Sequence, residues 1–422
     1  MNKQTDVIID FRYVSWNKLL WKKFIRRISK MFSIKISENI GRLYINNTGG
    51  KSKFEIYVIA SVVLSEVMDK YTTIPLNIID YQISEMELPI NEDVESNAYL
   101  FYCTRLAILN ANRDLCDALL DSFLDIHLYY NPSNYNYLFF DEKMNDYLKL
   151  NFRNYEDINC EDGIINFIRK QILSGMYVNI HLDEYYIKQK DFYDNRHYIH
   201  ENLIYGYNDK LQVFMAYGTT KRQMVSCFII SYEEIAYAYE KAKLFYFCGA
   251  QYLDDPNYYP LLLLKPLQTL SYEFTETVMQ DKIQQFLWPK SNEIVGKDYH
   301  VYGSHVYDSI IDDLTQKSDM NFVDYRVFHM LYEHKKCLQS RMEWLVKHGN
   351  MSSKGKEVYE RMKTIVQEYN SIRLMYLDGI RKENKLYFSQ KTLDNIDARF
   401  NIAEKLNDAQ LREKVVLQKF IE

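Results

Sequence analysis

Between Met176 and Ile230 four runs, MYVNIHL, HENLIYGY, LQVFMAY and MVSCFII, each crowd β-branched, aromatic and other apolar residues into a strand-length stretch. The polar turn Asn208-Asp209-Lys210 separates the second run from the third, so neighbouring runs can pair antiparallel. Helical periodicity flanks them, in LAILNANRDLCDALLDSFLDIHLYY and DGIINFIRKQIL before and in IAYAYEKAKLF after. Ser231 with Glu234 forms a capping-box signal ahead of that last helix. A half-apolar sheet followed by amphipathic helices must bury one against the other, which predicts an α+β fold with helices packed on an antiparallel sheet.

The 422 residues, 47% of them apolar, suffice for more than one core, and two or three domains are expected. With 38 Tyr and 22 Phe against 13 Gly and 7 Pro, long helices and aromatic strands are favoured over a loop-dominated fold. Near the N-terminus, WNKLLWKKFIRRISKMF places Leu20, Phe24, Ile28 and Met31 on one side and Lys18, Lys22, Arg26 and Lys30 on another. This basic helix reads either as ordinary surface or as a dock for an acidic partner or an anionic membrane surface. Three prolines fall in DDPNYYPLLLLKP, read as the edge of the mixed domain. Beyond it, Val358, Met362, Ile365, Tyr369, Ile372 and Tyr376 make one apolar seam, and Gly349 suits the C-cap of a preceding helix. The expected organisation is a small N-terminal region over residues 1–74, the mixed domain over 75–264 and a helical C-terminal domain over 265–422.

A formal net charge of −5 supplies no general grip on phosphate, so no nucleic-acid partner is expected. Cys103, Cys116, Cys160, Cys227, Cys248 and Cys337 form no CxxC pair, which suggests neither a zinc site nor a disulfide framework and fits a cytoplasmic setting. The start MNKQTDVIIDF lacks a signal-peptide core, and no run of roughly eighteen apolar residues occurs, so no membrane span is expected. GxGxxG, GxxxxGK[ST] and HExxH patterns are missing, and His329 and His334 in HMLYEH are spaced poorly for a metal pair on one helix face. Neither cofactor nor metal is expected.

Chemistry concentrates on a thiol and an imidazole. Cys103 stands where the aromatic run AYLFY gives way to a helical pattern, with Arg105 in the first turn, and both a helix N-terminus and a guanidinium favour thiolate. Its rival Cys160 is surrounded by Glu156, Asp157, Glu161 and Asp162, which oppose ionisation. His200 leads a strand in which Gly206 permits close approach of backbone or ligand, and His197 is the alternative base. The plain alternative is that both histidines are polar residues of a strand or loop. Asn97, six residues before Cys103, could donate its amide to an oxyanion beside the Cys103 N–H, or serve only a loop. Arg196 could bind an anionic substrate group or remain a surface charge.

The order of a Cys-led helix, a strand ending in HLDEYYI, then HENLIYGYND and a further strand resembles the papain-like cysteine superfamily. Within it, the chain is similar to the family of the butirosin biosynthesis protein H N-terminal domain and to related amide-forming proteins of thiotemplated peptide pathways. The likeness runs from about Asn97 to Lys243, and YGSHVYDSIIDDL and DYRVFHMLYEHK look like the helical C-terminal part of such proteins.

The resemblance implies a papain-like domain and an acyltransferase of antibiotic-type biosynthesis. Cys103 would accept an acyl or peptidyl group from a carrier-protein thioester and pass it to a small amine, forming an amide, with His200 as base and Asn97 as oxyanion donor. The phosphopantetheine belongs to the partner carrier protein. Papain-like enzymes orient the histidine with an Asp or Asn on the following strand, but this sequence has MAYG around Ala216. Asp183 and Asn208 are the substitutes on offer, or the pair works as a dyad; Asp183 could equally cap the next turn. Hydrolysis by the same machinery, as a thioesterase or peptidase, and a non-catalytic binding scaffold are the competing readings.

Overall fold

The computed structural model describes residues 6–10, 18–28, 30, 33–36, 42–46, 59–60, 62–64, 66–67, 78–79, 82–112, 115, 117–130, 136–140, 143–155, 163–247, 260–267, 273–295, 298–316, 323–383 and 393–422. These form an α+β protein that divides into two compact units, Met1–Glu92 with Lys149–Lys265, and Asp93–Leu148 with Pro266–Glu422. The segment 93–148, expected within the middle domain, therefore belongs with the C-terminal helices.

In the first unit, β1 (Asp6–Asp10), β2 (Ser33–Ile36) and β3 (Arg42–Asn46) form a small antiparallel sheet in the order β1-β3-β2, strands that the sequence reading did not anticipate. Helix Lys18–Ile28 accompanies it; Trp21, Phe24 and Ile28 are buried while Lys22, Arg26 and Arg27 face water, with Arg27 paired to Glu66. Met31 lies outside the described residues.

The main sheet of this unit combines β4 (Glu85–Glu87), β7 (Leu148–Arg153), β8 (Tyr177–Asp183), β9 (Ile199–Asn208), β10 (Val213–Thr219), β11 (Val225–Ser231) and β12 (Leu261–Pro266). Its order is β11-β10-β9-β8-β12-β7, with β4 on the far half of β9. The antiparallel register sets Leu182 opposite His200 and Val178 opposite Ile204. The Pro-flanked LLLL run is a buried strand beside β8, because its four leucines need cover on both faces, and the first unit ends within it at Lys265. Helix Gly163–Leu173 packs on β8 and β9, and helix Tyr232–Phe247 on β8 and β11. Ser231 and Glu234 cap the second one reciprocally: the Ser231 N–H donates to Glu234 at 2.9 Å and the Glu234 N–H to Ser231 Oγ at 3.2 Å.

The second unit holds a four-stranded sheet, β13-β14-β5-β6, of β5 (Ile126–Tyr130), β6 (Asn136–Phe140), β13 (Glu293–Val295) and β14 (Asp298–Tyr302). Helical periodicity was expected to run on to Tyr130. The helix instead stops at Asn110, a 3-10 turn covers Asp117–Asp121, and IHLYY becomes β5, since its alternation suits a sheet with Ile126 and Leu128 in the core. The C-terminal part is consequently not purely helical. Helices Glu276–Leu287, His305–Thr315, Tyr325–Lys347, Ser353–Lys382 and Ile396–Ile421 complete it. The seam Val358 to Tyr376 is buried throughout. Gly349 sits at φ 71°, and the Asn350 N–H reaches Leu345 O, which closes Tyr325–Lys347 with an αL cap. No helix among the described residues is long and apolar enough to cross a membrane.

Candidate active site

Strand β8 ends at Asp183, Glu184 opens the 3-10 turn that follows, and each of these adjacent carboxylates holds a different histidine. Asp183 is still extended, at φ −78° and ψ 107°, so the pleat carries on to Glu184 and sends the two side chains to opposite sides. Leu182 faces His200 across the β8–β9 pair, and Glu184 shares the side of Leu182. His200 Nδ1 accordingly lies 3.0 Å from Glu184 Oε1. His197 Nδ1 lies 2.7 Å from Asp183 Oδ2.

A carboxylate only accepts, so in each pair Nδ1 is the donor, which leaves Nε2 as the ring atom turned away from the carboxylate. The Nε2 of His200 makes no hydrogen bond to a described residue, and the side chain is 24% exposed. Thr219 Oγ1, at the end of β10, sits 3.2 Å from His200 Nδ1 and directs its own proton to Glu184 Oε1 at 3.5 Å. Lys190, from the turn between β8 and β9, places Nζ 3.5 Å from that same oxygen, donates to Thr219 O and lies 4.8 Å from the Phe228 ring. Burial lowers the Lys190 ammonium from its ordinary value to about 8, with the Glu184 carboxylate pulling the other way. His197 is more enclosed, stacked on Tyr185 at 4.5 Å and tilted against Phe245 at 5.3 Å.

The two offered orienting residues are both occupied elsewhere. Asp183 Oδ1 accepts from the Tyr185 and Tyr198 N–H groups at 3.2 Å, so it caps the turn after β8 and serves His197, not His200. Asn208 closes the far end of β9, roughly 26 Å from His200 at about 3.3 Å per residue. Its Nδ2 donates to Glu85 and its Oδ1 accepts from the Leu211 N–H, which makes it a turn residue. Gly206 admits the backbone of β4, because a Cβ there would lie 2.9 Å from Met86 O. Arg196 is exposed over the Phe192 ring.

Cys103 and Asn97 belong to the second unit. Cys103 is the fourth residue of helix Leu100–Asn110 and fully buried. Its Sγ faces Ser96 O at 3.6 Å and Tyr99 O at 3.5 Å, and carbonyl oxygens accept from S–H but offer nothing to a sulfur anion. The Cys103 N–H is bonded to Tyr99 O within the helix turn. Asn97 is exposed; its N–H donates to Glu333 Oε1 at 2.7 Å and its Oδ1 lies 2.8 Å from His329 Nε2. Ser96 Oγ donates to the other oxygen of Glu333, so this segment is tied to helix Tyr325–Lys347. Cys227 is half-buried near Glu92 and Glu87, and burial raises its thiol to about 11; Cys337 is buried, while Cys116, Cys160 and Cys248 lie outside the described residues.

Glu184, Lys190 and Thr219 went unnoticed in the sequence. Strand parity could have found Glu184, since in DE at a strand end only one carboxylate shares the side of a given cross-strand partner. Nothing local marks Lys190, which reads as a surface lysine in IKQKDFYDN. Among the described residues no group of three or more His, Cys, Asp or Glu side chains is arranged to hold a metal ion. No protein-family model matches this chain, and no curated protein sequence matches it.

Proposed function

We propose that this chain transfers an acyl or peptidyl group from a carrier-protein thioester to a small amine, with His200 as the general base of a papain-like domain. The reaction class comes from the likeness of HLDEYYI and HENLIYGY to amide-forming proteins. The observation that carries the base is the His200 ring: Nδ1 is fixed on Glu184, and the side chain is partly exposed, with no hydrogen bond between Nε2 and a described residue.

The amine nitrogen attacks the thioester carbonyl while His200 Nε2 takes its proton. The tetrahedral intermediate then collapses with cleavage of the C–S bond, and the imidazolium returns the proton to the phosphopantetheine sulfur, leaving an amide and a free thiol. Glu184 stabilises the imidazolium in between. Water must be kept from the carbonyl, or hydrolysis competes. The resemblance implies a prior acyl-enzyme on Cys103. The buried sulfur, turned to two carbonyl oxygens, favours direct transfer, in which Cys103 packs the second unit.

Incubating the protein with an acyl-loaded carrier protein and an amine, and measuring amide by mass spectrometry, tests this. His200→Gln is expected to lower the rate at least about 100-fold, and Cys103→Ala to preserve it. An unchanged rate in His200→Gln refutes the assignment of the base. An acyl adduct on Cys103 in the intact mass, with loss of activity in Cys103→Ala, replaces the direct route by the covalent one.

A further inference from the structure

A histidine hydrogen-bonded to a buried carboxylate acts as a base only while its ring is neutral, and the carboxylate that stabilises the imidazolium during the reaction also favours it at rest. The carboxylate attracts a second proton to the ring, and in a medium of low polarity that attraction is strong. A protonated imidazole has no lone pair to offer. The Glu184 carboxylate, 2% exposed, is such a partner, yet His200 is not its only cation-forming neighbour. Lys190, 1% exposed, and His200 touch the same oxygen, Oε1.

We propose that Lys190 is a positioning residue that holds Glu184 as a shared counter-ion, so that the His200 imidazole stays neutral and ready to accept a proton near neutral pH. With Lys190 charged, the Glu184–Lys190 pair is already neutral, and protonating His200 adds a net charge beside that buried pair. Without that ammonium, the proton on His200 neutralises Glu184 instead. The inference deepens the role given to His200 above and rests on it for its catalytic meaning.

The anchoring of Lys190 fits this role. Its N–H donates to Ile187 O, its Nζ donates to Thr219 O, and the ammonium lies by the Phe228 face. Those contacts hold the charge beside Glu184 instead of letting it extend into water. The other charged groups acting on the cluster are the carboxylates of Glu201 and Asp191, both of which act on Lys190, and the His197–Asp183 pair on the opposite side of the turn. Glu201 is itself occupied by the Asn179 amide and Asp191 by the Arg222 and Gln223 N–H groups, so neither replaces Glu184 at the ring.

The test is a histidine NMR titration of the full chain, with His200 assigned by its loss in His200→Gln, alongside the pH profile of amide formation. In Lys190→Met the His200 titration midpoint is expected to rise by about one pH unit, and the acid limb of the rate profile to rise with it. Lys190→Arg, which keeps the charge, is expected to restore both most of the way. An unmoved midpoint in Lys190→Met overturns the proposal, and Lys190→Gln provides the same reading if the Met variant does not fold. The titration does not depend on turnover. A shifted midpoint in a protein whose amide formation survives His200→Gln therefore upholds the shared counter-ion and rejects the functional reading.

Discussion

Asp183 and Glu184 are adjacent and chemically alike, and the half-turn of pleat between them gives them different duties. Asp183, fully buried, accepts two backbone N–H groups and holds His197, so it is part of the structure of the turn. Glu184 faces His200 and Lys190. Replacing Asp183 by Ala is expected to cost about 1–3 kcal/mol in urea unfolding, the usual consequence of orphaned buried donors, while the folded fraction keeps its transfer rate within a few-fold. Glu184→Gln is expected to lower that rate about 100-fold or more, because the ring loses the carboxylate that stabilises its charged form. Equal rate losses in both variants would make His197 the base instead. At this scale the sequence displayed the candidates but not their pairing: LDEYYI and HENLIYGY are visible as text, whereas which carboxylate meets which ring depends on strand parity and register. Asn208 failed for the same reason, being near His200 in sequence and a strand length away in space.

Secondary-structure elements were legible wherever the apolar period was unambiguous. The four runs between Met176 and Ile230 appear as β8, β9, β10 and β11, and the long seam Val358 to Tyr376 appears as one helix face. IHLYY was mistaken for the end of a helix because a run so short carries no reliable period, and pairing with β6 and β14 decided it. Gly206 shows how one element constrains another. It lies in the middle of a strand, where glycine is ordinarily unfavourable, and its missing side chain is what lets β4 lie on β9. Gly206→Ala is expected to destabilise the first unit by about 1–3 kcal/mol, read as a lower urea midpoint, because the obstructing atoms are backbone that cannot swing aside. An unchanged midpoint would mean that β4 contributes little to the sheet.

Across the second unit, one buried charge cluster joins four helices. Lys335 Nζ lies 2.5 Å from Glu413 Oε1, and Tyr307 and Tyr369 donate to the other oxygen at 2.8 and 2.7 Å. The rings of Phe286, Tyr307 and Tyr369 surround the ammonium at 4.7 to 5.4 Å. Lys335→Met alone should cost about 3–5 kcal/mol by stranding Glu413, whereas Lys335→Met with Glu413→Gln should recover most of that loss in urea unfolding. A neutral single variant would show that the cluster is not holding the helices. The sequence by itself determined the α+β class, the main strands and the long helices, because those follow from the spacing of apolar residues over a few neighbours. Tertiary structure alone decided that residues 93–148 join the C-terminal helices, that Glu184 and Lys190 share an oxygen beside His200, and that Lys335 is buried. Each of these depends on segments far apart in the chain meeting in one register, and no local pattern of charge or hydropathy encodes that meeting.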